Sequence, residues 1–168
     1  MTPDTLFLLS SCIASIGWIT LLFISPFWPG FDKFLVGIII ALLALVYTGL
    51  NFANFHVGDA AKFGSLDGVA ALYQNKALLC AGWVHFLAFD LLTAVWIKKN
   101  AVKLGIPHVW ILLALIFSCL LGPLGFLLYL LTRWIRTRNY FAESFLAGIA
   151  DRCSPLPYTY TYSFSVTT

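Results

Sequence analysis

The chain has 168 residues, of which 61% are hydrophobic and only 10% are charged. Soluble domains average roughly 45–50% apolar and about 25% charged residues, so this composition predicts an integral membrane protein that forms one domain. The net charge of +3 is small and scattered along the chain. It excludes the dense basic surface of a nucleic-acid-binding protein, and no nucleic acid is expected as a partner.

Apolar runs predict an all-α fold, a polytopic membrane bundle of four helices within residues 1–140. The spans are expected at about residues 5–25, 34–54, 77–97 and 109–132. Pro123 predicts a kink in the fourth span, because proline cannot donate a hydrogen bond to the carbonyl four residues earlier. The polar connection at residues 56–76 is long enough to form a lid on the membrane face, or it is a mobile connector. Residues 141–168 are predicted to form a poorly ordered tail.

Four crossings would put both ends of this domain on the same side of the membrane. The basic residues then divide into six on the terminal side and four on the other: Lys62, Lys76, Arg133, Arg136, Arg138 and Arg152 against Lys33, Lys98, Lys99 and Lys103. The positive-inside rule therefore favours cytoplasmic termini only slightly, and the orientation stays open.

The third predicted span carries two ionisable residues, His85 and Asp90, near the middle of the membrane. A charge at that depth costs at least about 2.5–3.5 kcal/mol on insertion scales, so such groups face protein, water or a ligand. Apolar surroundings favour a neutral carboxylic acid, so Asp90 could act as a general acid and His85 as a base. The purely structural alternative is that Asp90 bonds to Ser118 or to a tryptophan N–H and locks the bundle.

A comparison of depths along straight antiparallel spans predicts the neighbours of these two residues. Tyr47 lies at the level of His85, Ser118 at the level of Asp90, and Gly122 faces the His85 level. Because five residues turn a helix by about 140°, His85 and Asp90 cannot share a narrow face. They would flank one pocket or bond to different neighbouring helices.

The sequence offers no pattern for a metal or a redox cofactor, and neither is expected. No cluster of histidines or carboxylates has metal-ligand spacing, and the other two histidines, His56 and His108, lie too far from the His85 depth for a bis-histidine haem. The four cysteines are far apart and are interpreted as small buried hydrophobes: Cys12, Cys80, Cys119 and Cys153.

Two stretches resemble the abscisic acid-deficient 4 family, small integral membrane proteins tied to neoxanthin synthesis. The first joins Leu66–Tyr73 to the run from Gly82 to Leu91, and the second is Gly122–Tyr129. The similarity extends over about residues 5–138. Phe86 stands where a tyrosine is common in the family, so one hydroxyl is missing from any inferred site.

The resemblance implies that violaxanthin is isomerised to neoxanthin: an epoxide opens and a proton leaves the adjacent polyene carbon, which gives an allene and a tertiary alcohol. This reaction requires no redox cofactor and no metal. Asp90 as acid and His85 as base would satisfy it, with Trp83, Phe86 and Phe89 along the polyene. Further candidates for substrate contact are Tyr47, Ser118 and Tyr129.

Other functions fit the same residues. The chain could be a non-catalytic membrane protein that binds a carotenoid or another isoprenoid lipid, or an assembly partner of a membrane complex, and it could form a homo-oligomer. A small proton-linked transporter would use Asp90 as its protonation site. The expected location is a bacterial plasma membrane or a photosynthetic membrane, as a multi-pass protein that is not secreted.

Overall fold

The computed structural model describes residues 2–24, 27–28 and 30–138. Over these residues the fold is all-α, as predicted, with four helices long and apolar enough to cross a membrane. These four are called the first to fourth helices: Pro3–Ile24, Phe31–Asn54, Lys76–Lys103 and His108–Thr137. The predicted tail at residues 141–168 lies outside the described residues.

The first two helices each contain a π-helical turn, at Thr20–Ile24 and Leu35–Ile40. The first begins at Thr2, whose hydroxyl accepts a hydrogen bond of 3.3 Å from the Thr5 amide, with Pro3 in the first turn. This is the usual chemistry of a helix start, because proline supplies the required φ and the hydroxyl satisfies an otherwise unpaired N–H.

The third helix lies at the centre of the fold. Its 28 residues cover about 42 Å, and it contributes the largest share of the buried residues, among them Val84, Leu91 and Ile97. The Asn75 side chain caps its start by accepting from the Ala77 amide at 2.9 Å. Because its small and branched residues are buried on several sides, all the other long helices pack around it.

Two ion pairs show that the first three helices alternate in direction. Lys76, at the start of the third helix, lies 3.9 Å from Asp4 at the start of the first, and both side chains are exposed. Lys98, near the opposite end, donates to Asp32 at 2.8 Å, and both of these side chains are buried. We call the two ends of the molecule the Lys76 face and the Lys98 face.

The fourth helix is folded back on itself. Its backbone leaves helical geometry at Leu121 and Gly122, and the Arg136 guanidinium lies 4.4 Å from the centre of the Trp110 ring. A continuous helix would hold those two positions about 39 Å apart at ~1.5 Å per residue. Residues 108–120 and 123–137 therefore form a helical hairpin whose open end lies at the Lys98 face.

Two glycines, Gly122 at the bend and Gly125 just after it, permit this reversal. A β-carbon on Gly125 would collide with the Ser118 backbone, so the two halves meet without a side chain between them. The predicted kink beside Pro123 is confirmed, but the bend is a reversal. In a straight helix Gly122 would lie at the His85 level, as predicted, but because the helix reverses, Gly122 lies beside Asp90 instead.

The connection between the second and third helices is ordered. It consists of a 3₁₀ helix, Val57–Gly64, and a short α-helix, Leu66–Leu72. Asp59 accepts from the His56 amide at 2.9 Å and from Lys62 at 2.7 Å, and the Ser65 hydroxyl caps the α-helix by accepting from Gly68. Local side-chain bonds of this kind hold a segment that buries little apolar surface.

Candidate functional site

A cavity of about 190 Å³ lies between the second and third helices, beneath the connection. Four polar side chains reach it, those of Tyr47, Asn51, Tyr73 and His85. Its remaining side chains are apolar: Phe55, Phe63, Leu72, Leu78 and Ala81. Apolar walls with a few convergent polar groups are typical of a small-molecule site.

His85 is held in this cavity by two rings. Its imidazole centre lies 5.3 Å from the Tyr47 ring and 4.5 Å from the Phe89 ring. The depth comparison placed Tyr47 at this level. The imidazole therefore lies between a ring of the second helix and a ring four residues further along its own helix.

The connection contributes Tyr73 to the cavity. The Tyr73 ring packs against Gly82, where an added β-carbon would lie 3.1–3.4 Å from the ring atoms and the hydroxyl. The two halves of the first family motif, Leu66–Tyr73 and the run that starts at Gly82, therefore meet here. The connection therefore forms one wall of the cavity.

Asn51 and Tyr73 also line the cavity, although they were not among the predicted site residues. The Asn51 amide donates to the Tyr47 carbonyl at 2.9 Å. This bond fixes the amide and leaves its oxygen without a hydrogen bond from any described residue. Asn51 could have been identified as an amide in an otherwise apolar helix, and Tyr73 as a member of the first family motif.

Asp90 lies on a different side of the third helix. It is only 9% exposed, and its carboxylate packs against Gly122 at the hairpin bend, where an added β-carbon would lie 2.9 Å from its Cγ. Asp90 is not among the residues that line the cavity. The structure thus separates the predicted acid from the predicted base.

The expected locking bonds of Asp90 are also not observed. Ser118 is fully buried, and its hydroxyl has no hydrogen-bond partner among the described residues. The indole N–H of Trp83 donates to the Ser11 hydroxyl at 3.1 Å instead. Within residues 2–24, 27–28 and 30–138, the Asp90 carboxylate is held by packing and not by hydrogen bonds.

The three predicted aromatic contacts divide between two surfaces. Phe89 packs on His85, whereas Trp83 stacks on Phe86 with ring centres 6.3 Å apart. Trp83 also lies 5.5 Å from Phe7 of the first helix and lines a separate, mostly apolar cavity of about 290 Å³. All three rings are more than a third exposed.

Tyr129 lies away from both ionisable residues because the fourth helix turns back. Its hydroxyl donates to the Asn100 side chain at 2.5 Å, and its ring packs edge-on against Trp96 at 5.8 Å. Asn100 is ten residues beyond Asp90 on the third helix, about 15 Å along its axis. In this position Tyr129 joins the hairpin to the third helix.

The described residues contain no group of three histidine, cysteine, aspartate or glutamate side chains that could hold a metal ion. The cavity holds one imidazole, two phenols and one amide among apolar side chains.

A sequence model described as ABA DEFICIENT 4-like matches residues 5–129. The match includes both motifs, every residue that lines the cavity, and the hairpin as far as Tyr129. Neither the curated proteins nor the solved structures contain a match.

Proposed function

Because the chain belongs to the ABA DEFICIENT 4-like family, whose members are membrane proteins related to neoxanthin synthesis, we propose that it is a carotenoid isomerase. Its substrate is an epoxy-carotenoid, violaxanthin, and its product is the allenic neoxanthin. The reacting end ring occupies the cavity beneath the connection.

The observation that carries this proposal is the cavity itself. At about 190 Å³ it is smaller than the ~300–1,000 Å³ of a drug-sized ligand site, so it suits one cyclic end group and not a whole carotenoid. The polyene then extends toward the lipid, where Phe89 is exposed beside His85.

The residues of the cavity supply both proton transfers. The bond between the epoxide oxygen and the polyene-bearing ring carbon breaks, and a tyrosine hydroxyl, Tyr73 or Tyr47, protonates the oxygen. The neighbouring polyene carbon gives its proton to His85, and the electrons of that C–H bond form the allenic double bond. A proton returned from the imidazolium to the phenolate restores the site, so the reaction is an isomerisation with no net proton change.

In this proposal Asp90 is a positioning residue. Five residues from His85, it lies about 7.5 Å along the helix and ~140° around it. Its carboxyl contacts Gly122 and fixes the hairpin against the third helix. The competing assignment, Asp90 as the acid, requires a substrate that reaches it outside this cavity.

The test is pigment analysis in a bacterial host that accumulates violaxanthin. The full chain should yield neoxanthin by liquid chromatography. His85→Gln should lower the yield by about 100-fold or more, the usual contribution of a general base. Asp90→Asn should still form product, and His56→Gln, a matched exchange on the exposed connection, should behave like the parent chain.

The results separate the roles of the two residues, the isomerase activity and the carotenoid-binding alternative. Loss of product in Asp90→Asn with product retained in His85→Gln would reverse the two roles. Unchanged violaxanthin with the parent chain in the membrane would refute the isomerase. In that case, pigment that co-purifies unchanged would identify the chain as a carotenoid binder, the alternative function.

A further inference from the structure

The hairpin brings both ends of the fourth helix to the Lys98 face. Arg136 lies over the Trp110 ring, and Tyr129 bonds to Asn100, near the end of the third helix. Each half of the hairpin is about 20–22 Å long, which is short of the ~30 Å hydrocarbon core. Neither half can cross the membrane alone.

Because the fourth helix turns back, the basic residues at its C-terminal end lie on the same face as Lys98. The Lys98 face carries seven basic residues and one acidic residue, Asp32, among the described residues: Lys33, Lys98, Lys99, Lys103, Arg133, Arg136 and Arg138. Asp32 is buried and paired with Lys98. The Lys76 face carries two basic and three acidic residues: Lys62, Lys76, Asp4, Asp59 and Asp67.

The open end of the hairpin also has the aromatic residues of a membrane interface. Trp110 and Trp134 are about half exposed, one in each half of the hairpin. Tryptophan is enriched at the level of the lipid headgroups. Both the basic residues and the tryptophans therefore indicate that the two ends of the hairpin lie at the level of the headgroups. The bend near Asp90 then lies inside the membrane.

We propose that the Lys98 face binds the anionic phospholipid headgroups of the cytoplasmic leaflet, so that the chain crosses the membrane three times and the fourth helix enters and leaves through that leaflet. Juxtamembrane lysines and arginines are attracted by the negative surface of this leaflet and are retained on the cytoplasmic side. The N-terminal end and the connection then lie on the opposite side. Four crossings would divide the ten basic residues six to four between the two sides of the membrane. Three crossings place seven of the described basic residues on the cytoplasmic side and two on the other.

This orientation has a consequence for the cavity that does not depend on any chemistry there. The cavity and its covering connection belong to the half of the molecule toward the Lys76 face. A lipid-soluble ligand therefore enters from the leaflet opposite the anionic headgroups.

The test uses single cysteines and a membrane-impermeant maleimide on bacterial spheroplasts, in the full chain with Cys153→Ser. Ala61→Cys, on the connection, should be labelled in intact spheroplasts. Lys103→Cys and Arg138→Cys should be labelled only after permeabilisation. The Cys153→Ser parent, whose remaining described cysteines lie within the apolar helices, measures the background.

Two results would overturn the proposal. If Arg138→Cys is labelled together with Ala61→Cys while Lys103→Cys is protected, the fourth helix crosses the membrane. If Lys103→Cys and Arg138→Cys are labelled from outside and Ala61→Cys is not, the basic face is not cytoplasmic.

The role of the headgroups is tested by charge removal in the Arg138→Cys chain. Lys99→Gln, Lys103→Gln and Arg136→Gln together should raise external labelling of Cys at position 138 above background, because part of the population inserts inverted. The matched double variant Lys62→Gln, Lys76→Gln should leave labelling at background. Equal labelling in the two variants would contradict attraction by an anionic leaflet.

Discussion

At the scale of single residues, one of the tightest contacts between two helices is that of Asp90 with Gly122. The carboxylate occupies the space where any other residue at position 122 would place its β-carbon. The hairpin bend can therefore approach the third helix this closely only because residue 122 is glycine.

We expect Gly122→Ala to lower the stability of the chain by about 1–3 kcal/mol, the usual cost of an extra methyl in a filled site. Thermal unfolding in detergent measures the change. Gly49→Ala is the matched control, because no heavy atom lies within 4 Å of a β-carbon there and alanine in a helix gains about 0.5–1 kcal/mol over glycine. Equal stability of the two variants would contradict the proposed contact.

Sequence alone predicted the residue types of the site better than their arrangement. His85 and Asp90 stood out because polar groups at mid-membrane depth are costly, and Tyr47 followed from depth on straight helices. The contacts of Tyr129 and Ser118 could not be predicted, because they depend on a reversal that local periodicity does not encode. An apolar helix of 30 residues satisfies the length rule for a crossing, whether it continues or folds back.

At the scale of elements, the connection is the least apolar part of the fold and depends on a few side-chain bonds. The ionised Asp59 carboxylate accepts from Lys62 and from the His56 amide. These two bonds, with that to Lys62 the larger cause, lower the pKa of Asp59 below its ordinary value of 3.8. The connection is therefore more stable when this carboxylate is charged.

The sign of the pH dependence follows from that shift. A group whose pKa is lowered by folding stabilises the folded form above its unfolded pKa, and this contribution is lost as the pH falls through the folded value. We expect amide protection over residues 56–65 to be constant from pH 7 to about pH 5 and to fall below about pH 4.

Hydrogen exchange, corrected for the intrinsic effect of pH, measures this protection. Asp59→Asn should remove the pH dependence, whereas Asp67→Asn, in the neighbouring helix, should retain it. A parent chain with the same protection at pH 3 and pH 7 would show that Asp59 does not hold the connection.

At the scale of the whole molecule, one buried ion pair joins the start of the second helix to the third helix. Lys98 and Asp32 are each less than 10% exposed. Removal of one partner from such a pair leaves a buried charge without that compensation, which is costly, whereas exposed pairs contribute little.

We expect Asp32→Ala to destabilise the chain by about 3–5 kcal/mol. Asp4→Ala, which removes the exposed partner of Lys76, should cost about 1 kcal/mol or less. Thermal unfolding of both variants in the same detergent gives the comparison. The double variant Asp32→Leu, Lys98→Met should recover part of the loss, and a double variant less stable than Asp32→Ala would contradict burial as the cause.

The hairpin also sets the order in which the protein is assembled. As the chain is synthesised, the third helix is complete before the fourth begins, so its mid-membrane carboxyl first meets lipid or the insertion machinery. Only the closing of residues 108–137 onto the third helix brings Gly122 against Asp90. Neither half of the hairpin is long enough to insert as an independent crossing, so the two halves must enter together. The hairpin, which is made after the third helix, therefore shields the carboxyl that the third helix carries.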